Sequence, residues 1–130
     1  ITSLLITLFY NPPRLELMED PSRLALASFI ITNNLSGHAY TGQQIGSYIS
    51  FKFYPEILVS YDTRDDLFTG GRFLKDAVSG APLELILQRY RADLIILDTI
   101  EDSQNAVNIS HSPNWSKIYL SDKYLVMMRK

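Results

Sequence analysis

Apolar positions along this chain repeat with two different periods, which divide it into predicted strands and helices. Short runs rich in β-branched residues, such as 56–62 (EILVSYD) and 92–99 (ADLIILDT), favour strands. The stretch 81–91 (APLELILQRYR) spaces its apolar residues three and four apart and predicts a helix. Its apolar face consists of Leu83, Ile86, Leu87 and Tyr90. The centre of 92–99 is continuously apolar, which is typical of a central or parallel strand.

Applied to the whole chain, the same patterns predict strands and helices in alternation. Strands are predicted at 2–10, 38–41, 56–62 and 92–99, and as a hairpin within 114–130 around Ser121-Asp122-Lys123. Helices are predicted at 20–34, 43–54, 81–91 and 99–111, and a further helix start at 64–80 is interrupted by Gly70-Gly71. This order favours an α/β layered domain with a mostly parallel central sheet, flanked by helices and closed by a C-terminal antiparallel hairpin.

The helix at 20–34 has a recognisable beginning. Asp20 is placed to act as its N-cap, and Pro21 suits the first turn, where the missing backbone N–H is not needed. Its predicted apolar face consists of Leu24, Ala27, Ile30 and Ile31.

Length and charge limit the classes of partner and site. With 130 residues the chain is predicted to be a single α/β domain. Its net charge of −2, with basic residues scattered, argues against nucleic acid as a partner. The chain contains no cysteine, which excludes disulfides and thiolate ligands. Its two histidines, His38 and His111, have no partner at ligand spacing, so we predict no metal site and no cofactor.

The opening segment ITSLLITLFY (1–10) allows two interpretations. Its β-branched and aromatic residues favour a first strand. Alternatively it is the end of a longer hydrophobic segment, since ten residues are too few to span a bilayer, which needs about 20. Both interpretations agree with a fragment that starts just after a membrane segment.

Charged residues cluster directly after the predicted strand 56–62, in YDTRDDLF (61–68). Ligands of open α/β sheets bind beyond the carboxyl ends of strands, so Asp62, Arg64 and Asp65 are candidates to bind an anion or a sugar. The alternative is structural. Asp62 would cap the following helix, and Arg64 would pair with Asp62 or Asp65.

Tyr48 and Asp98 complete the candidate binding set. Tyr48 is a candidate to stack on a sugar, or it belongs to the core, as is more common for tyrosine on an apolar helix face. Asp98 ends the predicted strand 92–99 and lies near Asp62 if the two strands are neighbours, where paired carboxylates can perform acid–base chemistry. Helix capping explains both carboxylates as well and is preferred. No residue is predicted to be catalytic.

Several motifs occur in the order typical of one bacterial family. A short strand is followed by a glycine-containing helix with Gly46, Tyr48 and Ile49, and then by an apolar strand that ends in Asp62-Thr63-Arg64. The segments ELILQRYRADLIIL and NWSKIYLSDKYLVMMRK follow. Over most of the chain from position 20 onward, this order resembles the soluble C-terminal domain of polytopic membrane glycosyltransferase-like proteins. These are similar to dolichyl-phosphate-mannose mannosyltransferases and oligosaccharyltransferase-like proteins. Thr63 and Gln44-Ile45 stand where the family commonly has glycine.

The resemblance implies a fragment of a membrane-anchored parent, without the parent's catalytic carboxylate, on the extracytoplasmic face of the cytoplasmic membrane. The expected partners are the transmembrane part of the same polypeptide and a carbohydrate or lipid-linked sugar. Three functions stay open: a non-catalytic accessory domain of that parent, a small free-standing enzyme or ligand-binding domain that uses the strand-end carboxylates and Arg64, and a protein-interaction module. The first is preferred.

Overall fold

The computed structural model describes residues 20–60 and 82–130. The chain forms two compact units, residues 1–34 and 35–130. The predicted strand 2–10 and the interrupted helix at 64–80 lie outside the described residues, as do the binding candidates Asp62, Arg64 and Asp65. Within the described ranges, no helix has both the length and the apolar character needed to cross a membrane.

In the first unit, helix α1 covers Pro21–Thr32, as predicted. Asp20 is its N-cap, and its Oδ1 accepts a hydrogen bond from the Arg23 backbone N–H at 2.9 Å. This bond satisfies one of the N–H groups that a helix start leaves without an intrahelical partner, so the predicted cap is confirmed.

The buried face of α1 differs from the predicted one. Leu26, Ala27 and Ile30 are buried, whereas Leu24 and Ile31 are exposed. Apolar residues occupy most sides of this helix, so their spacing does not single out one stripe. The predicted face was therefore right at two positions and wrong at two.

The second unit alternates helices and strands around one sheet. Within its described residues, 35–60 and 82–130, the helices are α2 (Gln43–Phe53), α3 (Leu83–Arg89) and α4 (Ser103–Ser110). The strands in the same residues are β1 (Gly37–Thr41), β2 (Ile57–Val59), β3 (Leu94–Asp98), β4 (Trp115–Leu120) and β5 (Tyr124–Arg129). Each element overlaps a segment that the sequence predicts to have the same type.

The five strands form a mixed sheet in the order β2-β1-β3-β5-β4. The pairs β1–β2 and β1–β3 are parallel, and the pairs β3–β5 and β4–β5 are antiparallel. The α/β class and the antiparallel hairpin are confirmed, but the prediction of a mostly parallel sheet was wrong. The reason lies in β5, whose first four residues are all buried. Such a strand needs cover on both faces, so it pairs with the central strand β3 and leaves the partly exposed β4 at the edge.

Helices cover both faces of the sheet. One apolar cluster joins one face of the sheet to α3 and α4. Its buried members are Tyr40, Ile86, Leu87, Ala92, Ile95, Leu97, Ala106, Ile109, Trp115, Leu125 and Met127. Ala39, Leu94 and Ile96 alternate with the strand members of this cluster and point to the opposite face, and α2 contacts β1, β2 and β3. Every residue of β3 is buried, as its continuous apolar run predicts.

The arginine at the end of β5 ties the hairpin to the turn after α3. The Arg129 guanidinium lies 4.9 Å from the centre of the Trp115 ring, close enough for a cation–π contact. Its Nε and Nη2 donate hydrogen bonds to the Ala92 carbonyl oxygen at 3.0 and 2.6 Å. These charge-assisted bonds hold the amino end of β3 against the last strand.

Candidate functional site

The carboxyl ends of β1 and β3 meet where open α/β sheets commonly bind ligands. The chain leaves β1 towards β2 on one side, and it leaves β3 towards β5 and β4 on the other. These two ends therefore flank a topological switch point. We call the residues gathered there the strand-end site: Tyr40, Gly42, Asp98, Asp102 and Asn105.

Asp98, a predicted binding residue, is the last residue of β3 and is only 7% exposed. Its Oδ1 accepts hydrogen bonds from the backbone N–H groups of Ile100 at 2.8 Å and of Glu101 at 3.0 Å. This is an Asx-type turn, in which the side chain takes the place of a backbone acceptor. The carboxylate thus shapes the turn that leads into α4.

Asp102 connects the two strand ends. It stands at the N-cap position of α4, but its side chain makes no capping bond to that helix. Instead its Oδ2 accepts a hydrogen bond from the Asp98 backbone N–H at 3.0 Å. Its carboxylate packs against Gly42, the N-cap residue of α2, so closely that a Cβ on Gly42 would lie 2.6 Å from Asp102 Cγ. A larger residue at position 42 would therefore force the Asp102 side chain to move.

Burial raises the pKa of the Asp102 carboxyl above its ordinary value, and the negative charges of Asp98 and Glu101 add to the effect. The hydrogen bond from the Asp98 backbone acts in the opposite direction, because it stabilises the ionised form. Desolvation is the larger influence, so ionised Asp102 is a destabilised group at this position.

Tyr40 contributes a buried hydroxyl to the same site. The side chain is 9% exposed, and its hydroxyl oxygen accepts a hydrogen bond from Asn105 Nδ2 at 3.2 Å. Burial and the charge of Asp102 raise the pKa of Tyr40 to about 12. The phenol is therefore protonated at neutral pH and is not available as a base or a nucleophile.

Two predictions about the site can be compared with the fold. Tyr48 lies in α2 and is 4% exposed, so its ring packs in the core and is not accessible for stacking on a sugar. Strand β1 lies between β2 and β3, so the strands that Asp62 and Asp98 follow are not neighbours. The acid–base pair of Asp62 and Asp98 depended on neighbouring strands, and this condition is not met.

Sequence reasoning missed the contacts among Tyr40, Gly42, Asp102 and Asn105. Local periodicity reports which face of an element is apolar, but not which two turns meet across a sheet. A glycine directly before a helix and an acidic turn after a buried strand were the available signals. They become informative only once β1 and β3 are known to be adjacent.

In the strand-end site, the carboxylates of Asp98 and Asp102 accept hydrogen bonds from backbone N–H groups. In residues 20–60 and 82–130, no three histidine, aspartate or glutamate side chains form a group that could hold a metal ion. What the arrangement does chemically is to fix two turns against each other through Asp98 and Asp102.

No family model, curated protein or solved structure matches this chain. The resemblance to membrane glycosyltransferase-like proteins therefore rests on the ordered motifs alone.

Proposed function

We propose that this chain is a non-catalytic accessory domain of a membrane glycosyltransferase-like protein, on the extracytoplasmic face of the cytoplasmic membrane. In this role it supports the transmembrane part of the same polypeptide, or positions an acceptor or a lipid-linked sugar. The parent, not this domain, would carry the transferase chemistry.

One observation supports the non-catalytic part of the proposal. Asp98 is the strand-end carboxylate that acid–base chemistry would need, and its Oδ1 already accepts two backbone N–H bonds in a buried turn. A carboxylate held in this way favours a structural role, because gaining a proton would weaken the two N–H bonds to Oδ1 that shape the turn.

The identity of the parent is supported by the order of the motifs and by where they lie. Gly46, Tyr48 and Ile49 are buried in α2, the LIIL segment is the core of β3, and Trp115 is 3% exposed beneath Arg129. Among the described residues, these carriers of the resemblance belong to the core of the domain, as expected if the family likeness lies in its architecture.

The test begins with the coding sequence that contains this chain. We expect it to encode several apolar stretches of about 20 residues each. The whole encoded protein, prepared in membranes, is then assayed for sugar transfer from a polyprenyl-phosphate-linked donor. Deleting residues 35–130 should lower transfer at least tenfold, whereas Asp98→Asn should keep it within about twofold, since a structural carboxylate has no catalytic share to lose. Transfer by the isolated 130-residue chain, or a coding sequence without apolar stretches, would refute the proposal.

Location is tested separately. Because the chain contains no cysteine, Lys117→Cys introduces a single reactive thiol at an exposed position of β4. In a version of the parent without other cysteines, a membrane-impermeant maleimide should label this thiol in intact cells. Labelling only after the cells are lysed would place the domain on the cytoplasmic side and contradict the proposal.

A further inference from the structure

An open cavity lies at the opposite end of the sheet from the strand-end site, at the amino ends of β1 and β2. Its volume is about 450 Å³, which lies within the range of small-molecule sites. Pro55 and Leu58 form its apolar wall, and Arg91 and Glu56 bring charges of opposite sign to it. We call it the amino-end cavity.

Arg91 occupies a backbone position that ordinarily selects glycine. Its φ is +52°, and it directly follows Tyr90, the C-cap of α3. The Ala92 N–H donates to the Leu87 carbonyl at 3.1 Å, and the Arg91 N–H donates to the Gln88 carbonyl at 3.2 Å. This pair of bonds is the Schellman motif, whose left-handed residue is usually glycine because a Cβ is unfavourable there.

An arginine at this position lowers the stability of the helix end. Its side chain lines the cavity. Residues held in the left-handed region at a cost in free energy are concentrated at functional sites. Within the described residues, no ion pair holds the Arg91 guanidinium, and its side chain is exposed. The guanidinium is thus available to a ligand.

The remaining charged groups define the ligand further. Asp93 is engaged by the fold, because its Oδ2 accepts the His38 backbone N–H at 3.0 Å. Glu56 uses its backbone carbonyl to accept the Gly37 N–H at 3.0 Å, and its carboxylate is exposed at the cavity. The cavity therefore offers the Arg91 cation, the Glu56 carboxylate and an apolar wall. This combination is complementary to a zwitterion that carries an apolar group.

We infer that the amino-end cavity binds a free α-amino acid with an apolar side chain. Arg91 receives the carboxylate through paired N–H bonds, Glu56 receives the ammonium group, and Pro55 and Leu58 contact the side chain. The inference concerns this chain alone and does not depend on the proposed membrane parent.

The experiment is a titration of the ¹⁵N-labelled 130-residue chain with L-leucine, followed by amide chemical shifts. We expect saturable shifts confined to residues 37–38, 56–58 and 91–93, with a dissociation constant on the order of 1 mM. Two analogues dissect the ligand. Leucinamide keeps the ammonium group but not the carboxylate, and 4-methylpentanoate keeps the carboxylate but not the ammonium group. Each should bind about tenfold more weakly than leucine, because each loses a charge-assisted contact.

Two variants assign the residues. Arg91→Gly should abolish the preference for leucine over leucinamide, and it should not lower the melting temperature, since glycine suits the backbone at φ +52°. Glu56→Gln should abolish the preference for leucine over 4-methylpentanoate. The matched control is Asn34→Gly, which makes the same backbone change at the other described non-glycine residue with a positive φ, +51°, and should leave binding unchanged.

Several outcomes would overturn the inference. One is the absence of chemical shift changes at a leucine concentration about 50-fold above the expected dissociation constant. Others are shift changes mainly outside the cavity, and equal binding of leucine and both analogues. Undiminished leucine binding by Arg91→Gly with an intact fold would do so as well. None of these results would bear on the membrane parent, so failure of one proposal is distinguishable from failure of the other.

Discussion

The two ends of the parallel pair β1–β3 are built around the same kind of contact. At the carboxyl end, Asp102 packs against Gly42, and at the amino end, Asp93 packs against Gly37. In both cases the aspartate Oδ2 also accepts a backbone N–H at 3.0 Å. At each end of the pair, a glycine in or next to β1 thus packs against an aspartate that lies just outside β3.

The two ends differ in the charged groups that remain exposed. At the carboxyl end, Asp98 is buried and bonded to the backbone. At the amino end, Arg91 and Glu56 are exposed around a cavity. Topology alone directs attention to the carboxyl end, but in this protein that end is occupied by the chain's own carboxylates. A switch point therefore indicates a ligand site only if the turns around it leave polar groups without partners in the chain.

The largest expected effect comes from the amino end. Gly37 has φ +114°, and a Cβ there would lie 2.6 Å from Asp93 Oδ2. Gly37→Ala therefore combines backbone strain with a steric clash, and we expect it to lower the free energy of unfolding by about 3 kcal/mol. Urea denaturation followed by the fluorescence of the single tryptophan, Trp115, measures the loss. In an Asp93→Ala background most of the loss should persist, because the strain remains after the clash is removed.

The glycine at the carboxyl end should behave differently. Gly42 has φ −71° and ψ 169°, which any residue can adopt, so only the contact with Asp102 excludes a side chain. We expect Gly42→Ala to cost about 2 kcal/mol in the native background and less than about 0.5 kcal/mol in an Asp102→Ala background. The same denaturation assay gives this double-mutant cycle. Additive effects at Gly42 and Asp102 would show that the close contact does not determine the choice of glycine.

These contacts mark the boundary of what the sequence can predict. Elements follow from local pattern: the buried β3, the apolar face of α3 and the cap Asp20 all agree with their predictions. Strand order does not follow from local pattern, because the apolar runs of β1, β2 and β5 do not indicate which two of these strands lie beside β3. The parallel character of the sheet was overestimated for that reason, and the Gly42–Asp102 contact, which joins residues far apart in sequence, was not predicted.

Replacing Asp98 tests whether the carboxyl end is a structural turn. Asp98→Ala removes the acceptor of two backbone N–H groups in a buried turn, and we expect a loss of about 2 kcal/mol in the free energy of unfolding. Asp98→Asn keeps one oxygen acceptor and should lose about half as much. A loss below about 0.5 kcal/mol for Asp98→Ala would show that the turn does not need this carboxylate, and would reopen a ligand-binding role.

Asp102 makes the carboxyl end sensitive to pH. Its pKa in the folded chain is raised above the ordinary value of 3.8, so the folded state binds this proton more tightly than the unfolded state. The resulting contribution to stability is fully present below pH 3.8 and is lost as the pH rises through the raised folded pKa. Asp102→Asn does not titrate, so the native chain should lose stability relative to this variant as the pH rises through that window.

Urea denaturation of both proteins between about pH 3 and pH 7 measures this difference. Asp122→Asn, which alters an exposed carboxylate on the turn between β4 and β5, is the control for general charge effects. A stability difference that moves in favour of the native chain as the pH rises would contradict the raised pKa.

Replacing Tyr40 should have the smallest effect on stability, and that effect should depend on pH in the alkaline range. Tyr40→Phe removes the hydroxyl that accepts the Asn105 Nδ2 hydrogen bond, and should cost about 0.5–1 kcal/mol near neutral pH. Because burial and Asp102 raise the pKa of Tyr40 to about 12 from 10.0, the phenol contributes stability that is present below pH 10 and is lost as the pH rises towards 12. The Phe variant lacks this titration, so its disadvantage should shrink between pH 10 and 12. In an alkaline titration followed by absorbance at about 295 nm, the variant should have one tyrosine fewer that ionises at the high-pH end than the native chain has. An unchanged late titration would mean that another tyrosine carries it and that Tyr40 is accessible to solvent.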